Sequence, residues 1–348
     1  MKVLVRMPNW LGDCVMALWA LRDALSQSDV DRVDVLCRKS VAGLMNCIPF
    51  VGTVHTIEKL SGFKGLLGNR ARLRELSMLS YDIGLLLPNS ISSALEMRTA
   101  RPSKLVGYST DGRGMLLDRP VRVQKWLKEA HMYSYYLNVA LCAFGADELE
   151  EEAPVPKEKF ELSFTDSDIQ LIEQLLVRHS VGERYIVVGP GAAFGPSKQW
   201  KPDSYAGTVD LICRKYDCSA VIAGAPSDRK VAHEIASRIE AESADLCGTT
   251  DLPQVTYLLS RSFGFVGNDS GLMHVAALAG TPCVGLFFST EPVRTSPIGL
   301  STRCVEADIA CRPCYRRECN RGYECRDRVS PSQISEAFGN TLASADGR

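Results

Sequence analysis

Several things are missing from this chain, and each absence removes a class of function. Its 348 residues carry a formal net charge of −1, so no global excess of either sign draws it to nucleic acid or to an anionic surface. No apolar run approaches the roughly 18 residues of a membrane span. Met1-Lys2-Val3-Leu4-Val5 enters a strand pattern directly, without the layout of a secretory leader. These features predict a cytoplasmic protein. The first strand–turn–helix unit lacks G-x-G-x-x-G, which argues against a dinucleotide site. Gly191 and Gly195 are followed by Pro196-Ser197-Lys198, which does not spell G-x-x-x-x-G-K-[ST], so P-loop kinase or ATPase chemistry has weak support. No basic segment interleaved with aromatics of the RNA-binding kind is present, and no nucleic-acid partner is expected.

What is present is a globular composition, 45% hydrophobic and 23% charged, in a chain long enough for two cores. Thirteen cysteines fit a reducing compartment only if most stay reduced. Cys14, Cys37, Cys47, Cys142, Cys213, Cys218, Cys247 and Cys283 are scattered as small buried hydrophobes would be. Charge is distributed unevenly: Lys59 to Lys128 holds 13 Lys and Arg against 5 Asp and Glu, a net of +8. That surplus is either a site for an anionic partner or a solvated face balanced by the acidic stretch that follows.

The apolar pattern alternates strand and helix. Strand runs fall at Lys2–Met7, Val33–Cys37, Val54–Ile57, Tyr81–Leu87 and Lys104–Tyr108, with helical patterns at Val15–Leu25, Val41–Cys47, Lys64–Leu79, Ser92–Ala100 and Glu129–Phe144. Glu148 to Lys159 is acidic, carries Pro154 and Pro156, and reads as a linker and hinge. A second alternation follows, with strands at Tyr185–Val188, Ala220–Gly224, Asp245–Cys247, Ser262–Val266 and Cys283–Phe288. Helices Ser167–Arg178, Pro202–Lys215, Asp228–Ala241, Leu252–Ser260, Leu272–Ala279 and Pro331–Leu342 accompany them. The pattern implies an α/β protein of two Rossmann-like domains, 1–160 and 161–330, with a closing helix in 331–348.

Ligands of such sheets bind beyond the carboxyl ends of the strands. In the first domain those loops are Pro8-Asn9-Trp10-Leu11-Gly12-Asp13 and Pro88-Asn89-Ser90. In the second they are Gly189–Trp200 and Gly267-Asn268-Asp269-Ser270-Gly271-Leu272-Met273-His274, where a helix start favours an anion. Asp269 or Ser270 has the chemistry of an ordinary helix cap, and so does Asp13. Lys198 is a point charge suited to a diphosphate. Two such loops in one domain and a lone aspartate in the other suggest a division of labour. The second domain holds a nucleotide-diphosphate donor, and the first holds an acceptor with Asp13 as general base. Asp29-Val30-Asp31 and Asp166-Ser167-Asp168 spell D-x-D without ending a buried strand, which favours metal-free chemistry with no cofactor.

Asn9-Trp10-Leu11-Gly12-Asp13, Gly191-Ala192-Ala193-Phe194-Gly195-Pro196-Ser197-Lys198-Gln199-Trp200 and Asn268-Asp269-Ser270-Gly271-Leu272-Met273-His274, in that order, resemble the ADP-heptose:lipopolysaccharide heptosyltransferases. Leu87-Pro88-Asn89-Ser90 is similar to the type II subgroup. The resemblance, which runs over roughly 1–300, implies the two-Rossmann-domain (GT-B) architecture with a cleft between the domains, and an inverting transfer from ADP-heptose to the lipopolysaccharide inner core. It implies Asp13 as the base, Lys198 on the donor phosphates and Asp269 near the donor sugar. Gly191, Ala192, Ser197, Ser270, Gly271 and His274 then line the donor, and Asn9, Gly12 and Asn89 the acceptor. Gly224-Ala225-Pro226-Ser227-Asp228 lies where the adenine and ribose pocket belongs. The acceptor, a phosphorylated glycolipid, would bring the protein to the inner membrane surface and give the basic stretch a purpose.

The tail departs from this scheme. Cys311, Cys314, Cys319 and Cys325 give C-x2-C-x4-C-x5-C among seven arginines, Arg303, Arg312, Arg316, Arg317, Arg321, Arg326 and Arg328. A structural metal site and plain reduced thiols both fit that spacing. Two further readings keep open another nucleotide-sugar transferase or epimerase on the same frame, and a non-enzymatic binding protein.

Overall fold

A computed structural model describes residues 1–30, 32–58 and 62–346. The chain divides into two compact units, Met1–Val155 and Pro156–Arg348. The first half of the acidic stretch belongs with the first unit, because side chains tie it down: Leu149 N–H donates to Asn138, and Ala153 N–H to Ser134.

The first unit runs β1 (Val3–Arg6), α1 (Leu11–Leu25), β2 (Val33–Arg38), α2 (Lys39–Asn46), β3 (Val51–Ile57), α3 (Gly62–Ser77), β4 (Ile83–Leu86), α4 (Ile91–Ala100), β5 (Lys104–Tyr108), β6 (Arg119–Val121) and α5 (Met132–Phe144). Its strands form one six-stranded sheet in the order β3-β2-β1-β4-β5-β6, every pair parallel. Val5 lies between Val35 and Leu85, and every residue of β1 and β4 is buried. Burial on both faces is what a continuous apolar run demands of a strand. Strand order reverses between β1 and β4.

The second unit runs α6 (Asp166–Arg178), β7 (Tyr185–Gly189), α7 (Pro202–Tyr216), β8 (Ser219–Ile222), α8 (Arg229–Ala236), β9 (Ser243–Asp245), α9 (Leu252–Arg261), β10 (Gly264–Asn268), α10 (Gly271–Leu278), β11 (Cys283–Phe287), β12 (Thr302–Glu306) and α11 (Pro331–Asp346). Its parallel sheet is ordered β12-β11-β10-β7-β8-β9. Counted from β7, this is the same permutation as in the first unit, with the reversal between β7 and β10. The closing helix α11 packs into this unit's core, where Phe338 joins Val266, Val284 and Ile212. Gly264 makes room for it: a Cβ there would lie 2.4 Å from the Phe338 ring.

Helix α8 stops at Ala236 and β9 spans Ser243–Asp245, short of and ahead of the expected bounds, and three larger features also depart from the sequence pattern. Helix α1 begins at Leu11, four residues before the apolar periodicity, so Asp13 sits in its first turn and Trp10 takes the N-cap position without a side-chain cap bond. Strands β6 and β12 were not expected. Both lie at sheet edges, and their half-exposed residues lack a buried strand's apolar run. Among the described residues no helix is long and apolar enough to cross a membrane.

Candidate active site

The strand-order reversal of a doubly wound sheet opens a crevice at its carboxyl edge. In the second unit that crevice lies after β7 and β10, which places the Gly189–Trp200 loop beside Asn268-Asp269-Ser270. Lys198 Nζ bonds Asp269 Oδ2, and Thr290 Oγ1 donates to the same oxygen at 2.6 Å. Only 14% of the lysine side chain and 5% of the aspartate side chain are exposed, so the pair is largely desolvated. The Phe194 ring lies 5.2 Å from the ammonium. Asn268, fully buried, joins the two loops: its Nδ2 donates to Pro190 O at 2.7 Å, and its Oδ1 accepts from Trp200 N at 3.2 Å and Tyr205 OH at 2.8 Å. Losing one such buried partner costs about 1–3 kcal/mol, so the loop geometry is fixed rather than adaptable.

The cysteine-rich segment braces these loops from behind. Arg317 O accepts from Ser197 N at 3.1 Å, and Arg317 Nε donates to Phe194 O at 2.7 Å. Trp200 Nε1 donates to Arg326 O at 3.1 Å, and Lys201 pairs with Asp327. On the other side, Tyr315 N–H donates to Ser289 O and Arg312 Nη2 to Thr290 O, both at 2.8 Å. Gly195, at φ +152, passes so close that an added Cβ would lie 2.7 Å from Arg317 O. The thiols of Cys311, Cys314, Cys319 and Cys325 are free and half-buried. Among the described residues no three His, Cys, Asp or Glu side chains converge as metal ligands. Burial, and after it the neighbouring thiols of Cys319, Cys311 and Cys314, pushes the Cys325 thiol up from its ordinary value.

The remaining donor-loop residues fall close by. Gly191 lies against Asp228, whose Oδ2 would be 2.3 Å from an added Cβ. Asp228 Oδ2 accepts from Ala225 N at 3.0 Å, and burial raises its carboxyl above the ordinary aspartate value. Ala192 and Ser197 are buried, and the Ser197 hydroxyl is engaged by Ser289 Oγ at 3.1 Å and by Arg316 O. At the start of α10 neither expected cap is made: Ser270 holds the N-cap position with extended backbone but no side-chain bond, and Asp269 has turned to Lys198 and Thr290. The helix start therefore leaves that role to its backbone, with Gly271 at its first position and His274 buried one turn further in. Asp166 and Asp168 lie in the first turn of α6, capped by Thr165. Asp31, which completes the other D-x-D, lies outside the described residues.

In the first unit the corresponding edge follows β1 and β4. Asp13, half-buried, takes a hydrogen bond on Oδ1 from Tyr136 OH at 3.0 Å. Gly12 is its neighbour in the first turn of α1. Asn9 Oδ1 accepts from Arg6 Nη2 at 3.0 Å and Arg38 Nε at 3.2 Å, and Glu96 holds Arg6 Nε at 3.0 Å. Burial, then the adjacent Arg6 cation, lowers the Arg38 guanidinium. Asn89 Oδ1 accepts from Arg113 Nη2 at 3.1 Å, and its Nδ2 donates to Tyr135 OH at 2.8 Å. Burial pushes Arg113 down to about 10. Some of the basic surplus is thus structural: Arg113 is interior, and Arg98 makes a two-point pair with Asp118. Lys59, the first residue of that stretch, lies outside the described residues.

Arg6, Arg38, Glu96, Arg113, Tyr136 and Thr290 lie outside the motifs read from the sequence, and Asn268 stands in them only as the first residue of the Asn268–His274 motif, with no role of its own. Arg6 alone had a readable signal, a charge at the end of the apolar Val3-Leu4-Val5 run. The others owe their place to tertiary partners.

The model of "Glycosyltransferase family 9 (heptosyltransferase)" matches residues 70–323. Lipooligosaccharide heptosyltransferase 2 of Haemophilus influenzae is 29% identical over 314 residues, 86% of each chain. The solved ADP-heptose lps heptosyltransferase II of E. coli superposes with a TM-score of 0.79 at 24% identity, over 99% of this chain and 100% of that one. An E. coli heptosyltransferase solved with ADP-2-deoxy-2-fluoro heptose superposes with a TM-score of 0.72 at 17% identity, over 98% and 99%. Two six-stranded doubly wound units agree with these structures in fold, and the chain is a glycosyltransferase that belongs to glycosyltransferase family 9, the heptosyltransferases.

Proposed function

We propose that this enzyme moves L-glycero-D-manno-heptose from ADP-heptose to the lipopolysaccharide inner core, with inversion at the anomeric carbon, as a type II heptosyltransferase does. The observation that carries the reading is the buried Lys198–Asp269–Thr290 node at the β7/β10 crevice. It fixes a single cation where a nucleotide diphosphate would lie. The names of the relatives support the acceptor class, and the sugar-nucleotide complex of an E. coli heptosyltransferase supports the donor.

In this mechanism the second unit binds ADP-heptose. Lys198 and the N–H groups at the start of α10 take up the charge that grows on the departing diphosphate. Asp269 keeps Lys198 in place and faces the sugar. Asp228, in the loop that follows β8 and beside Gly191, accepts from the ribose hydroxyls in this reading. The first unit binds the acceptor along Asn9, Gly12 and Asn89. Asp13 takes the proton of the acceptor hydroxyl as its oxygen bonds to the anomeric carbon. The bond from that carbon to the diphosphate oxygen breaks, and ADP leaves with the electron pair. No metal or cofactor enters the scheme. The acceptor is an anionic glycolipid, so the basic stretch favours work at a membrane surface, and activity on lipid acceptor is expected to fall with salt while activity on a short neutral acceptor does not.

The test is substitution of Asp13 by Asn. Loss of turnover by orders of magnitude with ADP-heptose binding kept supports the assignment; near-full turnover removes Asp13 as the base.

A further inference from the structure

Asp13 is not left to orient itself. Helix α5 passes beside α1 and directs the Tyr136 hydroxyl at Asp13 Oδ1 across 3.0 Å, from a residue 123 positions away in the chain. Tyr136 is only 5% exposed, and burial followed by the charge of Asp13 holds its phenol well above its ordinary value. It is a permanent donor. Burial also raises the Cys14 thiol far above its ordinary value, and Cys14 donates to Pro8 O at 3.2 Å. Cys37 and Arg6 face Cys14 from β2 and β1, with Arg6 held by Glu96, and the Tyr135 ring meets the Tyr136 ring edge to face within α5. A carboxylate in the first turn of a helix ordinarily reaches back to the N-cap or points to water. Here one of its oxygens is fixed by a rigid, desolvated donor on another helix.

We propose that Tyr136 is a positioning residue for transfer. By donating to Oδ1 it sets the plane in which Asp13 meets the acceptor hydroxyl and favours the charged form of that carboxylate. The proposal rests on Asp13 being the general base. A donor to the charged form of a carboxylate lowers its pKa, and a fixed orientation saves the reorganisation that a freely turning group would need. Two effects should therefore appear together when the hydroxyl is removed.

The experiment compares the pH profile of heptose transfer in the unaltered protein, Tyr136→Phe and Asp13→Asn. Tyr136→Phe is expected to lower kcat about tenfold, to move the acidic limb of kcat/KM upward by about one pH unit, and to leave the KM for ADP-heptose unchanged. Site-specific 3-fluorotyrosine at 136, a stronger donor of nearly the same shape, should move that limb downward and keeps the test decisive if the Phe variant folds poorly. If Asp13→Asn is inactive but neither change at 136 moves the limb, Tyr136 is merely structural and the proposal fails while the base assignment stands. If Asp13→Asn stays active, the base assignment itself fails.

Discussion

Lys198 and Asp269 form a buried ion pair joining the two loops at the β7/β10 crevice, and Thr290 bonds the same carboxylate oxygen. Removing one member of such a pair strands the other charge, which costs about 3–5 kcal/mol when burial is deep. Lys198→Met is therefore expected to lower Tm clearly and to abolish donor binding. Combining it with Asp269→Asn should recover much of the stability and none of the activity. Thermal melts of the two singles and the double check this; additive losses of stability would show that the pair is uncoupled.

Gly195 offers a test of the bracing segment. Its φ of +152 and the 2.7 Å approach of Arg317 O leave no room for a side chain against backbone. Gly195→Ala is expected to cost about 1–3 kcal/mol from strain and to lower kcat/KM by displacing the Lys198 loop. Urea denaturation and kinetics on the same preparation measure both.

Asp228 yields a pH dependence with a definite sign. Burial raises its folded-state pKa above the unfolded value, so the folded protein holds the proton more tightly. Stability contributed by this group is fully present below the ordinary aspartate value and is lost as pH rises through the raised one. Asp228→Asn should remove that slope just above the ordinary aspartate range and raise Tm at neutral pH, while weakening ADP-heptose binding. Melts from pH 4 upward decide it; a Tm at neutral pH below that of the unaltered protein would contradict the assignment.

Arg113 gives the first unit its own test. Its guanidinium bonds Asn89 Oδ1 and the carbonyls of Pro88 and Tyr108. Arg113→Met is expected to raise the acceptor KM through a loosened Asn89 loop, with the donor KM unchanged. Equal changes in both constants would place the defect elsewhere.

The parts of this fold that were legible are those whose residues decide their own structure. β1, β4, β7, β10 and β11 are short apolar runs buried throughout, and their alternation with helices implied the parallel sheets. The loops after β1, β4, β7 and β10 were legible for the same reason, since site position follows strand ends. The start of α1 was not, because Pro8 and Gly12 carry the signature of a turn and Trp10 is no preferred cap. Nor was the bracing role of the tail, in which Arg316 and Arg317 contribute backbone carbonyls that have no sequence signature. Tyr136 and Thr290 matter only through partners distant in the chain.

The most direct test of the account is transfer from ADP-heptose to a heptosylated inner-core acceptor, followed by mass spectrometry, with ADP-glucose and UDP-glucose as competing donors. Addition of one heptose, from ADP-heptose alone, is the expected result. Transfer from a competing donor with none from ADP-heptose would contradict the heptose assignment while leaving the fold and the Lys198–Asp269 node in place.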